Sequence, residues 1–367
     1  MHPLFDPADF RLPSGIAHVC AGGETAALRA HDEALRRYVA DKSSGVPGRT
    51  AQEQAIDDAR AGTARLWGVD PNDIGFVGNV AEGVSIVAES IDWRDGDSIA
   101  IDAHEYPSVV GPIAMRRNPT VALRQARGTE PDRLAACVDA STRIIATSYV
   151  SYLTGERVNL AALRALADTV GALLLVDFTQ ASGYLPMQAA IADFAFSACY
   201  KWMLGITGVA VAYWNRARQP DWAPASAGWH SFAPGSRGYA TLPALRPDAM
   251  RFTRGNPAHC AIYVLNSALS YLSQFDMRDV QRHVQTLTVA LLDELAAARI
   301  PAMTPADPAR HGASVCVALP RAQAIVDALY THGVYAWNGH GRVRFSFHGY
   351  NTMADVERTV EALRACL

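Results

Sequence analysis

Between about residues 74 and 214 the chain alternates short apolar runs with stretches of helical periodicity. The runs are IGFVG from 74, SIAIDAH from 98, TVALRQA from 120, TRIIATSYV from 142, ALLLVDFT from 172, FAFSACY from 194 and VAVAYW from 209. Most are continuously apolar, not alternating, which is the mark of strands covered on both faces. Helical segments sit between several of them. One is NLAALRALADTVG, with Asn159 as its cap and Gly171 as its stop. Strand, helix, strand in this order predicts a largely parallel α/β sheet.

From about 216 to 250 the pattern is lost. QPDWAPASAGWHSFAPGSRGYATLPALRP is rich in Pro, Gly, Ser and aromatics and is too long for a passive connector, so a functional or oligomer-facing loop is expected. Two long helical patterns follow, at about 258–274 and 277–299. A smaller α/β unit then closes the chain: strand ASVCVALP, helix AQAIVDALYTHG, strand VRFSFH and helix MADVERTVEALRACL, capped by Thr352. The expected division is a large domain over 15–255 and a small one made of 1–14 and 256–367.

Composition narrows the class. A chain of 367 residues with a net charge of −3 offers no basic field for nucleic acid. No run approaches the roughly twenty apolar residues of a membrane span, since ALLLV at 172–176 runs straight into Asp177. MHPLFDPADFRLPSG is not a secretory signal, and the six cysteines are scattered without CxxC pairs. Reduced thiols in a cytoplasmic protein are therefore expected, with no metal site. GxGxxG after the early strands and GxxxxGK[ST] are both missing, which argues against nicotinamide and P-loop chemistry.

The window 172–214 carries the chemistry. Asp177 and Gln180 end a buried strand, and Lys201 follows the next strand before the turn LGITG. Ligands collect at the carboxyl ends of strands in such sheets. A buried lysine is costly unless it is paired or chemically used, and a carbonyl cofactor uses one as an imine. Alone, Asp177 and Lys201 would suit a structural ion pair equally well. Arg344 lies inside an otherwise apolar strand, where an arginine is hard to explain structurally.

These segments resemble, in order and over nearly the whole chain, the class V aminotransferases. These are fold-type I pyridoxal-phosphate enzymes, and they include cysteine desulfurases, isopenicillin N epimerase and kynureninase. VDFTQASG resembles the family's VDxxQ, which implies that Asp177 pairs with the pyridine nitrogen and Gln180 contacts the cofactor hydroxyl. ACYKWMLG resembles S-x-H-K-W, which makes Lys201 the Schiff-base lysine. Tyr200 stands where many members have His and Ala198 where they have a phosphate-binding Ser, so Ser197 or Tyr200 takes over part of that role. FVGNVAEGVSIVA resembles the phosphate loop GATEA at Val80, Ala81 and Glu82, with Ala81 in place of a common Thr.

DAHEYPS resembles the EHNS or EFPS segment, so Tyr106 would stack on the cofactor ring. YVSYLTGERVNL resembles HVSNxTG, with Tyr152 at a substrate-side position. MRFTRGNPA resembles RFExGT, whose end reaches the phosphate of the neighbouring subunit's cofactor. Asn256 matches that position, and the match implies a homodimer with shared active sites. Trp229 fits the family's GW element. RVRFSFHGYNT resembles xRxSxxxYNT, which gives Arg344 the substrate α-carboxylate and leaves Tyr350 and Asn351 to shape the turn.

The resemblance implies a large domain with a mostly parallel seven-stranded sheet, a small C-terminal α/β domain, pyridoxal 5′-phosphate as cofactor and a small α-amino acid as substrate. The desulfurase loop before the arginine reads GVYAWNGHGRVRFS here and holds no cysteine. His340, Tyr335 and Trp337 occupy it instead, with His340 a candidate substrate contact. Aminotransferase chemistry is the first expectation and a β- or C–S lyase or an epimerase the second. A non-catalytic cofactor-binding protein is the reading from another class. The loop aromatics Trp222, Trp229, Phe232 and Tyr239, with Trp337, suit either a roomy pocket or dimer packing.

Overall fold

The computed structural model describes residues 2–116, 119–128, 130–235 and 243–367, so Tyr239 lies outside the described residues. In chain order the elements are β1 (Ala17–His18), α1 (His31–Lys42), α2 (Gly45–Trp67), β2 (Ile74–Val77), α3 (Val80–Glu89), β3 (Ser98–Asp102), α4 (Pro107–Ala114), β4 (Ala122–Ala126), α5 (Pro131–Ala135), β5 (Thr142–Ser148) and α6 (Leu160–Val170). Then come β6 (Leu173–Asp177), β7 (Phe194–Ala198), β8 (Ala210–Trp214), α7 (His259–Leu272), α8 (Met277–Ala297), β9 (Ser314–Ala318), α9 (Ala322–Thr331), β10 (Val334–Tyr335), β11 (Trp337–Gly339), β12 (Arg342–Ser346) and α10 (Met353–Cys366).

The seven apolar runs form one sheet of order β2-β8-β7-β6-β5-β3-β4. The five strands from β7 to β4 are parallel, whereas β8 is antiparallel to both β7 and β2. A helix carries β5 to its parallel neighbour β6, but β7 reaches β8 through a loop with no helix, which reverses the chain. Side chains alternate between two cores. Ile145, Leu174, Val176, Ala195 and Val211 pack against α2, α6 and α7, while Ile144, Leu175, Phe194, Phe196 and Ala212 pack against α3 and α4. β4 departs from the buried pattern: it is the sheet edge, and its outer positions face solvent.

The caps read from sequence hold. The Asn159 side chain accepts the Ala162 N–H at 3.0 Å, and Gly171 ends α6 at φ 69°. At the start of α10 the Asp355 carboxylate accepts the Thr352 N–H at 2.8 Å.

The closing unit is an antiparallel sheet of order β11-β12-β9, and β1 pairs in parallel with β10 beside it. Its own core joins Ala17 and Val19 to Leu287, Leu291, Val315, Leu329, Val343, Phe345 and Val360. Because side chains alternate along β12, Val343 and Phe345 enter that core while Arg342, Arg344 and Ser346 share the opposite face. Phe5, Phe10 and most of α7 belong instead to a core of the large sheet. No helix among the described residues is long and apolar enough to cross a membrane.

Candidate active site

The carboxyl ends of β5, β6 and β7 lie side by side, with Ser148 across from Asp177 and Asp177 across from Phe196. Asp177 is 4% exposed, and burial pushes its carboxyl above the usual range, although the Thr179 N–H donates to Oδ1 at 2.7 Å. The Thr179 hydroxyl oxygen accepts the Ala198 N–H at 2.9 Å, which ties the end of β6 to the end of β7. Lys201 stands three residues beyond that tie and is 7% exposed, with no ion pair among the described residues. Burial, reinforced by Arg344, brings its ammonium down to about 8 against the pull of Asp177 and Glu24. Its Nζ lies 5.4 Å from the Tyr200 ring and 5.8 Å from the Tyr106 ring. The following turn is tight: the Leu204 N–H donates to the Lys201 carbonyl at 3.0 Å, and buried Leu204 takes the left-handed φ of 59°.

At the start of α3 the Asn79 side chain accepts the Glu82 N–H at 2.9 Å and the Glu82 carboxylate accepts the Gly78 N–H at 2.7 Å. The Val80 and Ala81 amides open the helix toward its positive dipole end. A Cβ on Gly83 would stand 2.3 Å from the Phe196 ring, so only glycine lets this helix close on β7. One wall is aromatic. Tyr106, at the start of α4, meets Tyr152 edge-on at 4.9 Å, and Tyr152 meets His340 edge-on at 5.4 Å. His340, exposed at the β11–β12 hairpin tip, has φ 55°.

Arg344 is 3% exposed and its Nη1 donates to the Tyr152 carbonyl at 3.0 Å. Its buried Nε has no partner, and burial lowers its guanidinium to about 10. Other expected residues are engaged within the fold. The Gln180 amide nitrogen donates to the Gly22 carbonyl at 2.9 Å, and its oxygen accepts the Trp202 indole N–H at 3.1 Å. The Ser197 hydroxyl donates to the Ala198 carbonyl at 3.1 Å. Asn256 is exposed, and its side-chain oxygen accepts from Arg49 at 2.7 Å. Tyr335 stacks on Tyr330 at 4.5 Å, Trp337 lies against Gly23, and Trp222 packs among Phe194, Trp214 and Phe252.

The family model for class V aminotransferases matches residues 24–359. The chain belongs to the class V aminotransferase family. A probable cysteine desulfurase of Methanothermobacter thermautotrophicus is 26% identical over 372 residues, covering 92% of this chain and 90% of that protein. Among solved structures, apo cysteine desulfurase from Thermococcus onnurineus NA1 matches with a TM-score of 0.88 at 19% identity, over 100% of this chain and 99% of that one. The cystine C–S lyase C-DES in complex with cysteine persulfide matches with a TM-score of 0.87 at 21% identity, over 95% and 97% of the two chains.

Class V aminotransferases use pyridoxal phosphate, and the donor set here fits that group. It has a buried lysine with no ion pair among the described residues, a buried carboxylate at the adjacent strand end, an aromatic face at Tyr106 and a helix start at Val80 and Ala81. Several residues of the site escaped the sequence reading. Thr179 acts through a hydroxyl whose partner lies on the next strand. Glu105, beside Tyr106, is pushed up to about 7 by burial and accepts from Ser148 and from the Tyr106 N–H at 2.6 Å. Glu24 and Cys20 arrive from the start of the chain: Cys20 bridges to Ser346, and Glu24 senses Lys201. Burial pushes the Cys20 thiol up to about 12, so it stays protonated.

Proposed function

We propose that this class V enzyme is an aminotransferase for a small α-amino acid, with Lys201 as both cofactor anchor and proton carrier. One observation carries the reading: Lys201 is buried with no ion pair among the described residues and is brought down to about 8 beside two aromatic rings. An amine in that state can lose its proton near neutrality, as a nucleophile and a general base must. Pyridoxal phosphate, when bound, supplies an electron sink for the bonds at the substrate α-carbon. Asp177 is placed to hold a proton at the pyridine nitrogen, Tyr106 to cover the ring, and the Val80 and Ala81 amides with Glu82's turn to receive the phosphate. Arg344 offers its free Nε and an Nη to the α-carboxylate, and Lys201 then moves a proton at the α-carbon. Tyr152 and His340 line the substrate side.

The protonated Cys20 and the cysteine-free β11–β12 hairpin weigh against a persulfide-forming thiol. A homodimer with shared sites is part of the same proposal. It is supported by exposed Asn256 near Arg49 and by the apolar surface of Val46 (81% exposed), Val39 (60%) and Trp229 (59%). Cytoplasmic residence accords with six free cysteines. Of the division into 15–255 and 1–14 with 256–367, a separate small unit is supported by the core under β12, whereas Phe5 and Phe10 pack with the large sheet, Ala17 and Val19 pack with the small unit, and α7 favours a boundary nearer residue 275.

The test is a titration of purified holoenzyme with single amino acids and no keto acid. Transamination releases one keto acid per site and changes the cofactor spectrum. Accumulating ammonia or thiol indicates a lyase, and an inverted amino acid indicates an epimerase. Either of these outcomes overturns the aminotransferase proposal.

A further inference from the structure

Arg342 and Arg344 are 2% and 3% exposed on one face of β12, and neither makes an ion pair among the described residues. Other buried arginines of the chain do: Arg60 meets Asp57 and Asp248, and Arg164 meets Asp168 and Asp193. Among the described residues no carboxylate comes within ion-pair contact of Arg342 or Arg344. Arg342 feels Cys316 and Tyr152, and Arg344 feels Arg342, Cys316, Cys20 and Tyr106. Both guanidiniums donate to the single carbonyl of Tyr152, and the charge of Arg342 adds to the cost of burying Arg344. Two neighbouring buried cations with no carboxylate in contact among the described residues are expensive.

A single α-carboxylate at Arg344 answers only half of this excess charge. We propose that the pair recognises a doubly anionic amino acid, with its α-carboxylate on Arg344 and a second, side-chain acid group on Arg342. The inference rests on the reading of Arg344 given above. Residues i and i+2 of a strand are about 6–7 Å apart, a distance that one small molecule with two acid groups can bridge.

Arg342 also has a structural role. Its Nε donates to the Leu153 carbonyl at 2.8 Å and Nη1 to Gly339 at 3.2 Å, besides the bond to Tyr152. Those carbonyls fix the guanidinium plane but carry no net charge, and two of the five N–H groups stay available. The same bonds hold the loop of Tyr152 against the hairpin that bears His340. Arg342 therefore lies between the two segments that close the substrate side, where a side-chain acid would arrive.

Holoenzyme is titrated with aspartate and glutamate against asparagine and glutamine, isosteres that lack only the second charge. The acidic pair should show apparent dissociation constants at least about tenfold lower, a difference of roughly 1.4 kcal/mol. Arg342→Gln should bring that ratio close to one, and Arg342→Lys should retain part of it. Arg344→Gln should weaken all four amino acids together. Equal affinity for acids and amides in the unaltered enzyme overturns the proposal, as does an Arg342→Gln variant that weakens all four alike.

Thermal shift with succinate against butyrate gives a readout independent of turnover. Succinate should raise the melting temperature more, and equal shifts again overturn the acid pair. If no amino acid perturbs the cofactor spectrum while succinate still stabilises selectively, the functional reading falls and the anion pair stands.

Discussion

Glu105 accepts both the amide hydrogen and the hydroxyl hydrogen of Ser148, at 2.7 and 2.5 Å, directly across from Asp177 on the neighbouring strand. This clamp joins the segment just before α4 to the end of β5 and so fixes Tyr106. Burial lifts Glu105 from an ordinary 4.5 to about 7. Between those values the unfolded chain has lost the proton that the folded one keeps, so stability falls as pH rises through the window. The loss approaches about 3 kcal/mol. Melting curves of apoprotein at pH 5 and pH 7.5 should show this slope, and Glu105→Gln should flatten it while lowering stability at pH 5. Parallel slopes in the two proteins would remove Glu105 as the cause.

Lys201 has the opposite sign in a different window. Its folded value, about 8, lies below the ordinary 10.5, so the unfolded chain binds the extra proton between them. Apoprotein stability contributed by this group therefore rises from pH 8 to 10.5, by about 3 kcal/mol at most. Lys201→Met should lose that rise and should cut turnover about a thousandfold or more. Denaturant titrations at three pH values check the first point, and a product assay checks the second.

Gly83 permits the contact between α3 and β7. Gly83→Ala puts a methyl into the Phe196 ring and should cost about 1–3 kcal/mol through overpacking. The helix start must shift in response, so cofactor affinity should fall as well. Melting temperature and equilibrium dialysis of the cofactor report the two effects, and an unchanged melting temperature would count against this packing.

Asp193 lies far from chemistry but at the root of β6. It is 1% exposed and accepts from Arg164, from the Leu174 N–H at 2.7 Å, from Gln219 at 2.8 Å and from Arg218 at 3.2 Å. Asp193→Ala leaves Arg164 buried and without this acceptor, and should cost about 3–5 kcal/mol. Urea unfolding measures the loss. The folded fraction should keep its cofactor spectrum.

The seven sheet strands and the caps at Asn159, Gly171 and Thr352 were legible because each depends on local periodicity or on a hydrogen bond a few residues long. The reversal at β8 was not, since apolar runs carry no direction. Lys201, Asp177 and Arg344 stood out because a charge inside an apolar run is conspicuous, and the fold buries all three. Thr179, Glu105 and Glu24 were not, because their roles come from partners on other elements. Gln180 shows the reverse problem: its motif was plain, but both ends of its amide are engaged by Gly22 and Trp202, contacts that no spacing announces.

The bridge between Cys20 and Ser346 has a consequence for how the protein is made. Lys201 and Asp177 sit in a sheet whose strands have all been synthesised by residue 214, whereas Arg342 and Arg344 lie in one of the last segments made. The earliest part of the chain must then wait for nearly the whole remainder before its pairing partner exists, and closing so long a loop is slow. The small unit that carries Arg342 and Arg344 can therefore close only after every strand of the large sheet has been made.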